Sequence, residues 1–167
     1  TGLQGEIPVE RTQIGLFGEA RVDLGALSLQ AGARFDQVVR NALEGNRSVF
    51  SPRPSFGEDR VSVVNPRVSA SWRALGGDRR WLRAHGNVGG GMRAPSAFEI
   101  AFTDNPSLKP ERTLSLDAGV ETGWLGGRLI VDATYFRNTY DDLIVTVGRL
   151  QGTSVFRSDN ISNARAQ

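Results

Sequence analysis

A chain of 167 residues is long enough to bury a core, but only 39% of this one is apolar, Gly fills 20 positions and mean hydropathy is slightly negative. No stretch reaches the ~18 consecutive apolar residues that a membrane-spanning helix requires, a finding that leaves membrane-spanning strands open. The formal charge is only +2, acids and bases interleave instead of gathering a basic face for nucleic acid, and the lack of Cys excludes disulfides and thiolate metal sites.

Alternation with a period of two begins at Gln13–Leu24. There the even positions are Ile14, Leu16, Gly18, Ala20, Val22 and Leu24, against Gln13, Glu19, Arg21 and Asp23 among the odd ones. Leu27–Asp36 repeats it with Leu27, Leu29, Ala31, Ala33 and Phe35 against Ser28, Gln30, Arg34 and Asp36. Such alternation marks β-strands and fits no helical spacing. Arg67–Arg73, Leu82–Val88, Thr113–Glu121 and Leu129–Tyr135 follow the same rule, and Asp142–Val147 begins another strand. Seven strands, or eight, account for the chain, with no helix longer than a turn.

The links between them alternate in length. Gly25-Ala26 is short, and a two-residue turn of type II′ there pairs Leu24 with Leu27, Val22 with Leu29 and Leu16 with Phe35. Gln37–Val64 is long and polar, the link around Gly76-Gly77-Asp78 is short, and Arg93–Arg112 is long with three prolines. Leu125–Arg128 is short again, pairing Trp124 with Leu129, and Gly148–Thr153 is intermediate. Short turns at one end and long loops at the other describe a transmembrane barrel of an outer membrane.

A soluble antiparallel sheet also alternates, so the polar face must discriminate. Here it carries Glu19, Arg21, Arg34, Asp36, Arg67, Arg83, His85, Asp117, Glu121 and Asp132, the lining of a wet or plugged lumen. The apolar face carries Leu, Val, Ala and Gly, with Trp72, Trp124, Phe35 and Tyr135 towards strand ends, as interfacial girdles require. No secretory leader opens the chain, which reads as a piece of a longer one.

Gly91-Met92-Arg93-Ala94-Pro95-Ser96-Ala97-Phe98-Glu99 followed by Asn105-Pro106-Ser107-Leu108-Lys109-Pro110-Glu111-Arg112 resembles the TonB-dependent receptor barrel. Gly119-Val120-Glu121, Asn65-Pro66-Arg67 and Tyr140-Asp141-Asp142-Leu143-Ile144 are similar to it as well, although Met92 stands where an aromatic is usual. The resemblance implies an all-β, antiparallel up-and-down barrel of roughly 22 strands around a plug. Residues 1–167 would then be its middle-to-late wall, without the plug domain, the TonB-contacting segment or the last strands. It further implies a receptor in the bacterial outer membrane for TonB-dependent active uptake of a ferric siderophore, haem or cobalamin, with lipid, plug, the TonB complex and a metal-chelate or cobalamin ligand as partners. A passive porin-like barrel and a soluble all-β adhesin or binding domain are the alternatives.

In the Arg93–Arg112 loop, Pro95, Pro106 and Pro110 lack N–H donors and fix φ, a structural role. Arg93, Phe98 and Phe102 are candidate ligand contacts, as are Arg47, Phe50, Arg53 and Phe56 in the Gln37–Val64 loop, because ferric siderophores present anionic and aromatic surfaces. The Trp124–Leu129 register sets Glu121 opposite Asp132, and like charges across a ladder need neutralising. The resemblance suggests plug arginines; a neighbouring wall Arg or water is the plainer reading. Glu19 and Arg34 are expected to pair. His85 lacks the second ligand of a metal site, and Gly89-Gly90-Gly91 lacks the Lys-Ser/Thr of a phosphate loop, so it permits a bulge or a close approach to the plug. Asp141-Asp142 lacks the spacing of a calcium loop, and no nucleophile motif frames any Ser. The chain is expected to be no enzyme and to hold no cofactor.

Overall fold

The computed structural model describes residues 9–45, 53–101, 103, 105–149 and 155–167. Strands β1 (Arg11–Leu24), β2 (Leu27–Arg40), β3 (Asp59–Leu75), β4 (Arg80–Arg93), β5 (Glu111–Trp124) and β6 (Leu129–Asp141) form one up-and-down antiparallel sheet, each pairing with the next in sequence. A helix α1 (Ala97–Ala101) follows β4, and β7 (Leu143–Arg149), β8 (Val155–Ile161) and β9 (Ala164–Ala166) follow β6. The first hairpin has the expected register, Leu24 with Leu27, Val22 with Leu29 and Leu16 with Phe35. Of its two turn residues only Gly25 has positive φ (61°), as type II′ demands. Trp124 meets Leu129, and Glu121 meets Asp132.

Several details differ from the sequence reading. The long link is shorter at both ends, because β2 runs on to Arg40 and β3 starts at Asp59. The strand expected at Asp142–Val147 leaves the wall: β7 pairs with β8 in a separate two-stranded sheet. Asp142 (φ 53°) turns the chain away, and Asn163 (φ 63°) turns it back so that β9 meets β6 at Asn138–Tyr140. Asp and Asn tolerate this left-handed conformation better than most residues. Finally, Gly89–Gly91 forms no bulge. Their pairing with β5 runs unbroken to Arg93, and Gly89 and Gly90 lie against Arg67 and Pro66 of β3. The irregularity falls instead between Arg73 and Leu75, where an extra residue brings Leu75 opposite Leu82 on the apolar face.

The two faces of the sheet are chemically distinct. Along β5, exposed even positions alternate with half-buried odd ones from Arg112 to Glu121. Leu16, Val22, Leu29, Leu116 and Val131 on the even-type face are 67%, 53%, 40%, 43% and 49% exposed, so no second protein layer covers them. On β5 the apolar face runs from Leu114 to Trp124, the length of a transmembrane strand of about 9–11 residues. Trp72 and Trp124 stand beside the short turns, whereas Tyr135 sits mid-strand opposite Ala118 rather than at a strand end.

The opposite face is a set of hydrogen-bonded rows. Arg21 binds Asp23, which also accepts from Ser28. Arg67 donates to Asn87 (2.8 Å), and Asn87 to Asp117 (2.9 Å). Arg34 ion-pairs with Asp36 (2.9 Å) rather than with Glu19. Its guanidinium lies across Gly15, directly opposite Asp36, where a Cβ would collide with it.

In the whole barrel, Val120→Arg on the exposed apolar face is expected to destabilise by about 2–4 kcal/mol if that face meets lipid at mid-depth. Ser115→Arg on the other face should cost far less. Denaturant unfolding of the receptor in lipid vesicles reads both, and equal effects would contradict the assignment of faces.

Candidate functional site at the long-loop end

The long links meet at one end of the sheet and bury a small core of their own. Leu43 and Phe56 form a bridge across the β2–β3 link, and they pack with Ile100, Leu108 and Ile144. Each of these side chains is at most 8% exposed. Loops without such a core would open freely, so this cluster gives the mouth a fixed shape.

Arg93 ties that cluster to the wall. Its Nη1 and Nη2 donate to Glu99 (both 2.9 Å), and its Nε and Nη2 donate to Glu111 (2.5 and 2.7 Å). Glu99 also accepts from the Ser96 amide (2.7 Å) while Ser96 Oγ accepts from the Glu99 amide (3.3 Å). This reciprocal Ser-x-x-Glu arrangement is a capping box that starts α1. Glu111 accepts a third bond, from the Ile144 amide (2.8 Å), which fixes the start of β7. Burial works against the charged form of Glu99. The bonds from Arg93 and Ser96 outweigh it and hold the carboxyl below its ordinary range.

The Asn105–Arg112 stretch has an equally definite purpose. Asn105 Oδ1 accepts from the Ser107 amide (2.9 Å) and its Nδ2 donates to Asp159 (3.1 Å). Asn160 takes the Lys109 amide (2.8 Å) and returns a bond to the Lys109 carbonyl (3.0 Å), imitating a ladder partner. Thr103, 1% exposed, donates to the Ser158 carbonyl (2.7 Å). The β4–β5 link is thereby clamped to the β7–β8 hairpin.

Of the residues expected from sequence to meet a ligand, Phe98 is 64% exposed on α1. Arg93 is spent on its two carboxylates. Phe56 (4% exposed) and Arg53 (5%) are inside the loop cluster instead of at its surface, because Leu43 pairs with Phe56 and draws it inward. Arg40 and Arg53 both stack on the Phe56 ring, at 5.5 and 5.7 Å from its centroid. Arg47, Phe50 and Phe102 lie outside the described residues. Lower down, Arg83 of the neighbouring strand ion-pairs with Glu121, and Thr134 donates to Asp132 (2.7 Å). Reasoning from sequence passed over Glu99, Glu111, Asn160 and Arg40. The capping spacing Ser96–Glu99 was a usable signal for the first; nothing local marks Asn160 or Arg40.

Residues 5–167 match the family model described as TonB dependent receptor-like, beta-barrel. The chain belongs to this family. No curated protein sequence matches it. Among solved structures, this TonB-dependent barrel chain is similar to the Serratia marcescens hemophore receptor HasR in complex with HasA and heme, with TM-score 0.72 and 19% identity over 94% of this chain. It is also similar to the copper transporter OprC (0.70, 21%, 93% of this chain) and to the FrpB iron transporter from Neisseria meningitidis (0.65, 17%, 92%). It spans 30%, 25% and 22% of those chains, respectively, so it matches a section of a larger barrel.

Removing the Arg93 guanidinium (Arg93→Ala) strands two largely buried carboxylates, which is expected to cost about 1–3 kcal/mol of local stability. Hydrogen exchange of the Ile144 and Glu99 amides in the whole receptor should then speed up by one to two orders of magnitude. A separate acid dependence follows from Glu99. Because its carboxyl titrates lower when folded, its contribution is complete above the ordinary value of 4.5 and is lost as pH falls through the lower folded value. Protection of α1 should therefore hold from neutral pH to about pH 4 and decline below it. In Glu99→Gln that particular decline should be absent.

Proposed function

We propose that this chain forms part of the wall and mouth of an outer-membrane receptor that imports a scarce nutrient by TonB-dependent active transport. The observation that carries this reading is the group of described loop residues clamped together by Arg93, Glu99, Glu111 and Asn160 at one end of a sheet with a charged inner face. A passive pore has little use for long loops packed on a common core; a receptor needs them held in place to recognise its cargo. The neighbours named for heme, copper and iron support a metal-bearing cargo, of the ferric siderophore, haem or cobalamin class. Phe98 is the proposed aromatic contact, with Phe102, Arg47 and Phe50 as further candidates. On the inner face, Asp132 is a better plug contact than Glu121, whose charge Arg83 already balances.

Cells carrying the whole receptor should accumulate one of ferric chelate, haem or cobalamin, and lose that uptake when TonB is removed. Uptake that persists without TonB, with ion conductance from the purified barrel, would favour a passive pore. Phe98→Ala should weaken cargo binding several-fold at an unchanged receptor level in the membrane; unchanged affinity would remove Phe98 from the site.

A further inference from the structure

The exposed apolar face carries a cation that the wall leaves unmatched. Arg137 of β6 stands directly opposite Leu116, which is opposite Val88, which in turn is opposite Val68. Its neighbours on the same face of β6 are Tyr135 and Thr139. Among the described residues no ion pair reaches it. Counted from Leu129, a membrane-crossing stretch of about 9–11 residues ends at or just beyond Arg137, which therefore lies at the outer edge of the hydrocarbon. A charge on a lipid-facing surface is costly unless its long stem carries the head to a polar boundary and a partner there.

That boundary is basic. Arg112 of β5 lies one step beyond Leu114 on the same exposed face, between Met92 and Asp141 in the two ladders. Although Asp141 stands opposite it, no ion pair joins the two among the described residues. At the long-loop ends of β3, β5 and β6 lies an open recess of about 600 Å³ whose lining includes Arg60, Ser62, Lys109, Arg112, Asp141 and Asp142. Arg60 and Ser62 share the parity of Val64, and Asp141 that of Tyr135, so these side chains belong to the outer side of the wall. Lys109 reaches Asp142 at 3.6 Å and Arg60 reaches Glu58 at 3.8 Å, long pairs that the surface holds weakly. Towards the short turns the exposed strip of Val64, Val88, Leu114 and Leu116 begins.

We infer that Arg112 and Arg137, with Arg60, hold the phosphate of a phosphorylated membrane lipid whose acyl chains lie along Val64, Val88, Leu114 and Leu116. A guanidinium matches phosphate oxygens in pairs, and cations at a membrane surface attract anionic headgroups. The lipid brings the anion that the wall lacks, and its chains cover the exposed strip beside it. This site is on the outer side of the wall and goes beyond the uptake reading, since it does not depend on what enters the mouth.

Native mass spectrometry of the whole receptor in a neutral detergent tests it. The probes are a glucosamine lipid bearing two phosphates (lipid A) and the same lipid stripped of both. The phosphorylated form should be retained saturably, about 10-fold or more tightly than the stripped one. Arg112→Gln and Arg137→Gln should each weaken its retention about 5-fold, the effect of one cation beside an anionic headgroup. Arg137→Lys, which keeps the charge and a long stem, should hold most of the affinity. Equal retention of the two lipids, or undiminished retention by the double variant Arg112→Gln/Arg137→Gln, overturns the inference. Displacement of the lipid by an equal concentration of inorganic phosphate also overturns it, because the site would then select a free anion.

Discussion

Everything in this molecule depends on pairing backbone N–H and C=O groups between neighbouring strands while the side chains divide by parity. In a hydrocarbon surrounding, an unpaired peptide group costs several kcal/mol, so each strand must have a partner along the whole stretch that meets lipid. The five long ladders meet that demand between β1 and β6, while among the described residues the outer edge of β1 and most of that of β6 have no strand beside them. Once the ladders are set, a shift of one residue would turn every leucine inward and every arginine outward. Among the described ladders, the bulge between Arg73 and Leu75 resets the parity, close to a short turn.

At the other end the logic changes from ladders to side chains. Arg93 bridges Glu99 and Glu111, Asn160 stands in for a strand partner of Lys109, and a few apolar side chains supply a core that the sheet itself lacks. The mouth therefore keeps its form through polar bonds anchored to strand ends. Among the described residues, Arg93 is matched by two carboxylates, while Arg53 is buried with two guanidinium nitrogens unpartnered.

The wall was legible in the sequence because a period of two is a local property. Register followed from turn length alone at Gly25-Ala26 and at Leu125–Arg128. The hairpin β7–β8 was misplaced because Leu143–Val147 is as rich in β-branched and apolar residues as a wall strand; only the backbone turn at Asp142 removes it. The interior of the loops was not legible for a similar reason. Whether Phe56 faces water or Leu43 depends on a bridge between residues in an irregular link, and periodicity says nothing there. Arg34 chose Asp36 over Glu19 because a glycine lay beneath it, a matter of space rather than of charge pattern.

That last point extends further along the inner face. Trp81 lies over Gly123, and His85 reaches Thr134 (3.2 Å) across Gly119, so bulky groups recline on the wall where a neighbouring strand lacks a Cβ. The effect is a thin lining. Side chains that lie flat rise little above the inner face of this stretch of wall. A methyl group at Gly119 would meet Thr134, His85 and the Ala133 carbonyl closer than van der Waals contact allows, so that part of the lining could no longer lie flat.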